Sequence, residues 1–314
     1  MKILFHTGVI CYRGSTVAIE DYARYNQSLL GNESIIVYDK HHVANQPEVI
    51  ANMGKEFNLI PIDNLSELQA IIDREKVDLL YNGEGFVPTN CPVVGHEAWQ
   101  LDSYKPYMKS YAYISEWLAN DMNSKLGTNY PYVPHVVQLP EPTGDFKELF
   151  GIKPGQTVIG RHGGQQEFNL PFVKQAIANI VNKRDDFVFV FVGTDPWIDH
   201  PNVRFAQAFH NLQTKSKFIN TCDAMIHARA NGESFGLAMS EFLSLNKPVL
   251  VWEAGNDRNH AWIMRDSGLI YNTENVEEKI LSIGDYIGAE DWTQRVAEFR
   301  PQPVMEKFNK IFLQ

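Results

Sequence analysis

The chain has 314 residues, 44% of them hydrophobic and 21% charged, enough apolar material for one large core or two medium ones. Its 28 basic against 38 acidic residues give a formal charge of −10, which argues against a nucleic-acid partner held by phosphate neutralisation and against docking on anionic lipid. Cys11, Cys91 and Cys222 are far apart and lack any CxxC spacing, so neither a disulfide framework nor a zinc cluster is expected, and a reducing cytoplasm fits.

The opening MKILFHTG is a short apolar stretch cut by His6 and Gly8, which reads as a first strand rather than a leader; no run approaches the ~18 apolar residues of a membrane span. KILFHT, SIIVYD, FNLIPI, VDLLYN, PVVGHE and YAYIS are strand candidates, with helical periodicity between them over stretches such as Thr16 to Leu30 and Leu65 to Arg74. QLPEPTGDFKELFGIKPGQ then packs three prolines and three glycines into nineteen residues, a linker composition. A second series follows: TVIGRHG, FVFVFVG, NVRFAQ, DAMIHAR and PVLVWE, with helices near Pro171 to Lys183 and Phe235 to Leu245. Alternating strands and helices, twice over, predict an α/β chain of two parallel-sheet domains facing a central cleft. The first is expected over residues 1–139 and the second over 140–302, with a C-terminal helix at about 303–314 packing back on the first.

HARANGESFGLAMSEFLSLNKP, from His227 to Pro248, carries Glu233 and Glu241 eight positions apart. DAMIHAR supplies a strand, Asn231-Gly232 a turn, and a helix is expected from about Ser234. Its first N–H groups, from Phe235, Gly236 and Leu237, would then form an anion- or hydroxyl-binding crown, with Gly236 letting a ligand approach the backbone. Glu233 falls at the carboxyl edge of the sheet, where open α/β sheets bind ligands, and Glu241 two turns down the helix. Two carboxylates in that arrangement suit the hydroxyls of two sugar rings joined by phosphates. On spacing alone, a helix cap and a solvated helix residue account for the pair equally well.

GESFGLAMSEFLSLNKPVLV resembles the E-x7-E segment of the retaining GT-B glycosyltransferases of glycosyltransferase family 4, and FINTCDAMIHAR resembles the strand that precedes it there. The resemblance implies two Rossmann-like domains and transfer of a sugar from a nucleotide-diphosphate sugar to an acceptor hydroxyl, with retention of configuration. It also implies no metal or other cofactor, the leaving phosphate itself taking the acceptor proton. It assigns Glu233 to donor-sugar hydroxyls and Glu241 to the ribose. TVIGRHGGQ resembles the strand-loop whose arginine faces the diphosphate, which gives that role to Arg161. His162, Gly163 and Ser234 fall beside these positions as donor contacts, and His210 falls in a segment that carries nucleotide contacts. The family's lysine five or six residues after the arginine is absent, since Gln166, Glu167 and Phe168 stand there; Lys174, Arg204 and Lys217 are candidate substitutes.

In the first half FHTGVICYRGSTVAIEDYARYNQSLL matches the family's first strand, loop and helix, with Gly14 as a donor-binding candidate. PVVGHEAW places His96 where relatives carry a histidine near the reacting carbon, a catalytic assignment. Asn82, Glu84 and Phe86 are candidate acceptor contacts on a cleft-facing loop. His41, His42, His200, His227 and His260 show no metal-ligand spacing, so no metal site is expected. The expected partners are a nucleotide sugar, of UDP or GDP type, and a glycan or other hydroxyl acceptor, with no nucleic acid or membrane partner. The alternatives are a catalytically silent nucleotide-sugar or glycan binding protein, and a GT-B epimerase or phosphorylase.

Overall fold

Strands of the first half are apolar at nearly every position, the pattern of a parallel sheet covered on both faces. In the computed structural model, which describes residues 1–83, 87–209 and 211–314, they become β1 (Lys2–Thr7), β2 (Glu33–Asp39), β3 (Asn58–Ile62), β4 (Leu79–Asn82), β5 (Val93–Glu97) and β6 (Met108–Tyr113). Helices α1 (Gly14–Ser28), α2 (Pro47–Met53), α3 (Leu68–Glu75) and α4 (Glu116–Leu126) lie between and after them. Strand β6 begins at Met108, three residues before the apolar YAYIS run, because Met108 and Ser110 pair with Val93 and Val94 of β5, with a register shift at the intervening Lys109.

The described strands form a six-stranded parallel sheet in the order β3-β2-β1-β4-β5-β6. Side chains alternate across it with period two. Ile3 and Phe5 point into a cluster with Tyr22, Tyr81 and Phe308, whereas Leu4 between them joins Ile35, Val37, Leu68 and Ile72 on the other face.

Unit two, residues 137–297, repeats the plan. Its elements are β7 (Thr157–His162), α5 (Pro171–Val181), β8 (Phe187–Val192), β9 (Val203–Ala206), α6 (Leu212–Thr221), β10 (Ala224–Ile226) and β11 (Gly232–Glu233), then α7 (Leu237–Ser244), β12 (Val249–Trp252), β13 (Asp257–Arg258), α8 (Asn259–Ile263), β14 (Ile270–Tyr271) and α9 (Val276–Leu281). The sheet order is β14-β12-β10-β7-β8-β9, and β11 pairs with β13 apart from it. Both sheets therefore grow outward from their first strand in one direction and then in the other. That reversal creates a switch point between β1 and β4 and another between β7 and β10, where crevices open at the carboxyl ends of the strands.

The first unit comprises residues 1–136 together with 298–314. Helix α10 (Pro301–Phe308) and a last turn over Asn309–Leu313 close its aromatic face. Phe308 is fully buried and stacks on Tyr22, Tyr81 and Phe5 with centroid distances of 5.4, 5.7 and 6.4 Å. The Lys109 ammonium donates to the carbonyls of Phe312 (3.2 Å) and Leu313 (2.8 Å), tying edge strand β6 to the last turn. Replacing Phe308 by alanine opens a cavity in this cluster and should cost about 3–5 kcal/mol, read as a lower urea midpoint.

Candidate functional site

At the switch point of the second unit, β7 ends in Arg161-His162 and β10 leads into His227 and Arg229. Arg161 is only 5% exposed. Its Nη1 donates to the Thr194 hydroxyl just beyond β8, its Nη2 donates to the carbonyl of Gly164 at 3.2 Å, and its guanidinium lies 5.7 Å from the centroid of the Phe168 ring. A Cβ on Gly163 would come within 2.8 Å of Nη2, so glycine there lets the arginine fold back over its own loop. Burial lowers the Arg161 pKa to about 10, opposed by Glu233 and Glu167 and assisted by Arg229. A pKa of about 10 leaves the group cationic at neutral pH.

Glu241 is buried in α7, and both of its oxygens are engaged. Lys215 of α6 donates to Oε1 at 2.5 Å, and Nε2 of His162 lies 3.0 Å from Oε2. The His162 ring stacks on Phe242 at 5.8 Å. Burial acts to raise the Glu241 carboxyl, but the Lys215 charge and the contact with His162 outweigh it and hold the pKa at about 2. The side chain is ionised at every physiological pH.

Glu233 stands on β11, ahead of the helix. Arg229 Nη1 donates to its Oε2 at 3.1 Å, and Nε2 of His227 lies 3.4 Å from its Oε1. The second edge of Arg229 is in ion-pair contact with Glu167. Burial acts to raise the Glu233 carboxyl; His227 and Arg229 reverse that and lower it. Beneath it, His260 is fully buried and faces the His227 ring at 4.6 Å. Its Nε2–H donates to the carbonyl of Trp252 (2.8 Å) and its Nδ1 accepts the N–H of Glu233 (3.3 Å), which fixes one neutral tautomer. Burial, with His227 nearby, lowers its pKa to about 3.

This local structure departs from the expected one in a definite way. Helix α7 begins at Leu237, not near Ser234, because Gly232 and Glu233 pair with Asp257 and Arg258 as a two-residue strand and Asn259 Nδ2 donates to the carbonyl of Phe235 (2.6 Å). Gly236 is the N-cap, with φ 91°. It is buried, and a Cβ there would sit 3.0 Å from Met239 Cγ, so the positive φ and the close neighbour both call for glycine. Ser234 is half-buried and Phe235 is buried, both ahead of the helix; the first-turn N–H groups without intrahelical partners belong to Leu237, Ala238 and Met239. Glu241 consequently lies one turn into α7, not two. Gly232 (φ 75°) is required by β13, since a Cβ would fall 1.8 Å from the Asp257 carbonyl oxygen.

In the first unit, Gly14 opens α1 on the surface beyond β1. His96 does not fit a catalytic assignment. It is buried within the core, its Nε2–H donating to the carbonyl of Val133 (2.8 Å) and its Nδ1 accepting from the Tyr81 hydroxyl (2.6 Å), so both ring nitrogens are committed to the fold. Burial lowers it to about 4 and the neighbouring His135 to about 3. Asn82 is the last residue of β4 rather than part of a loop, fully buried, and its Oδ1 accepts from His6 Nδ1–H at 3.0 Å across the β1–β4 switch point. It is therefore a core contact, not an acceptor contact. Glu84, Phe86 and His210 lie outside the described residues.

Of the three candidate substitutes for the absent lysine, Lys174 sits over the Trp197 ring at 5.1 Å and Arg204 Nε donates to the Phe150 carbonyl at 3.2 Å. Lys217 is two residues from Lys215 on α6, about 200° around the helix, and so faces away from Glu241. The residues that complete the site are instead Lys215, His227, Arg229, His260 and Glu167. Lys215 shares a helical stripe with the buried Phe218 and Ile219, and a lysine on an apolar stripe was the available signal. His227 and Arg229 follow the carboxyl end of β10. Among the described residues, no group of three or more His, Cys, Asp or Glu is arranged to hold a metal ion, and no helix is long and apolar enough to cross a membrane.

No protein-family model matches the sequence, and no curated protein does either. Solved structures do. Anabaena HepE in complex with UDP-glucose superposes with a TM-score of 0.72 at 13% identity, covering 99% of this chain and 100% of HepE. A glycosyltransferase from Rickettsia africae gives 0.73 at 14% identity, with 99% and 97% covered. WaaG, a glycosyltransferase involved in lipopolysaccharide biosynthesis, gives 0.66 at 12% identity, with 98% and 99% covered. The chain has the GT-B fold, an α/β architecture of two Rossmann-like units.

Two outcomes follow from the buried charges. Lys215→Met strands the Glu241 carboxylate and should cost about 3–5 kcal/mol in urea unfolding, whereas Lys215→Met combined with Glu241→Leu should recover most of it. His96, His135 and His260 are held neutral below the ordinary 6.5 while their unfolded forms protonate. Stability should therefore fall as pH drops from about 6.5 toward 4, by up to about 1.4 kcal/mol per pH unit per ring. Glu241, whose folded pKa is depressed, adds its own loss only below the ordinary 4.5. Urea midpoints measured from pH 7 to 4.5 check this, and a flat profile would contradict neutral burial of the rings.

Proposed function

We propose that this protein is a glycosyltransferase that moves a sugar from a nucleoside diphosphate sugar to an acceptor hydroxyl, with retention of anomeric configuration and without a bound metal. The observation that carries the reading is the pair Glu233 and Glu241, two carboxylates held ionised on either side of a helix N-terminus, with a buried arginine on the neighbouring strand end. An ionised carboxylate accepts hydrogen bonds from both hydroxyls of a vicinal diol. Glu241 serves the ribose and Glu233 the transferred sugar. Arg161 and the first N–H groups of α7 receive the diphosphate, and the negative charge that grows on it as the sugar leaves is where preorganised donors lower the barrier.

In the reaction, the bond from the anomeric carbon to the β-phosphate oxygen breaks while a bond to the acceptor oxygen forms on the same face. The acceptor proton passes to the departing phosphate oxygen. No protein nucleophile enters, which suits a Glu233 already paired with Arg229. The first unit takes the acceptor, and Gly14 opens α1 there. HepE, of the same fold, is described with UDP-glucose, which supports a nucleotide sugar as the donor and makes UDP sugars the first to try. The composition supports a cytoplasmic enzyme.

The test is thermal shift and transfer assay with UDP and GDP sugars on the wild type, Arg161→Ala and Glu233→Ala. One donor should raise the melting temperature of the wild type. Arg161→Ala should lower turnover by about 10²- to 10³-fold, and EDTA should leave turnover unchanged. Stabilisation by a donor without transfer would select a silent binding protein, and acceptor-independent turnover an epimerase.

A further inference from the structure

The donor-site reading leaves a charge imbalance. A diphosphate carries two negative charges, while Arg161 brings one positive charge and Glu233, beside it, one negative. Arg161 alone cannot balance that group in a buried setting. Glu167 on the β7–α5 loop adds a second negative charge near Arg161.

Arg229 lies in the same network. Its Nη1 donates to Glu233 Oε2 at 3.1 Å and its other edge is in ion-pair contact with Glu167. Its charge is felt by Arg161, as are those of both glutamates. The two glutamates differ in freedom. Glu233 is fixed by β11 pairing and by His260, whereas the Glu167 side chain is 42% exposed on a loop and can turn into water. Released from Glu167, the guanidinium edge presents two N–H groups in the fork geometry that matches a phosphate.

We infer that Arg229 is the second cation for the donor diphosphate, and that Glu167 is a placeholder anion that occupies its phosphate-facing edge until the donor displaces it. The inference rests on the donor-site reading above and deepens it. With Glu167 turned away, Arg161, Arg229 and Glu233 sum to one positive charge, and the α7 N-terminus adds a partial one.

Calorimetric binding of UDP and GDP, each compared with its own monophosphate, tests this on the wild type, Arg161→Ala, Arg229→Ala, Glu167→Gln and Arg229→Ala/Glu167→Lys. The wild type should favour one diphosphate over its monophosphate. Arg229→Ala should lose at least tenfold of that preference with the monophosphate nearly unaffected. Glu167→Gln, which breaks the ion pair and keeps the arginine, should hold or tighten diphosphate binding, and Glu167→Lys should restore it to Arg229→Ala. If Glu167→Gln instead weakens binding as much as Arg229→Ala does, the pair is structural and the inference fails. If Arg161→Ala abolishes the preference while Arg229→Ala leaves it intact, the donor site stands and only the role of Arg229 is overturned. Absence of any binding by the wild type overturns both.

Discussion

A carboxylate taken out of water stays ionised only where the protein returns the charge that water supplied, and the second unit is organised around two such groups. They are supplied differently. Glu241 is held from both sides, by an ammonium on α6 and an imidazole at the end of β7, and its side chain is 6% exposed. Neither partner can leave without stranding a buried ion. Glu233 is 27% exposed and shares Arg229 with a second, more exposed carboxylate, Glu167, on the β7–α5 loop. A permanently ionised acceptor suits a part of the ligand that is the same in every turnover.

The backbone that separates these two carboxylates is set by interactions with the following segment. Gly232 can pair with Asp257 because it has no Cβ, and that pairing draws residues 232 and 233 into an extended conformation. Asn259 then captures the Phe235 carbonyl and His260 captures the Glu233 N–H. The helix is thereby delayed to Leu237, and Glu233 is aimed from an extended strand instead of a helical turn. The neutral His260 tautomer belongs to this device, since only an unprotonated Nδ1 can accept the Glu233 amide. Main-chain position and side-chain protonation are thus coupled at one residue.

Much of this was legible in the sequence. Strands such as FVFVFV declare themselves because a parallel strand buried on both faces is apolar throughout, and that signal is local. Arg161 and the Glu233–Glu241 pair were picked out by resemblance to a family's motifs, since spacing alone left a helix cap and a solvated residue equally good. The start of α7 was not, because β11 exists only through its pairing with β13, more than twenty residues later. His96 misled because a histidine at a strand end looks the same whether its ring meets a substrate or, as here, Tyr81 and Val133. Arg229 was invisible as a site residue, and Lys215 showed only as a lysine on an apolar stripe, since their partners come from other elements: α6 meets α7, and the residues after β10 meet the β7–α5 loop. Charge pairing across a sheet edge leaves no periodicity to read.

The sign reversal at Glu167 also has an energetic logic. A lone cation waiting in a buried, empty site would carry its desolvation cost throughout the resting state. Arg161, Arg229, Glu167 and Glu233 sum to zero formal charge. On the inferred role of Arg229, a diphosphate would exchange one anion for another there without creating a new pair, which would lower the net gain on binding. On the same inferred role, Glu167 would return to the guanidinium as a nucleoside diphosphate withdrew. Weaker capture and easier release would then arise from one ion pair, and release of product is a step that limits turnover in many enzymes.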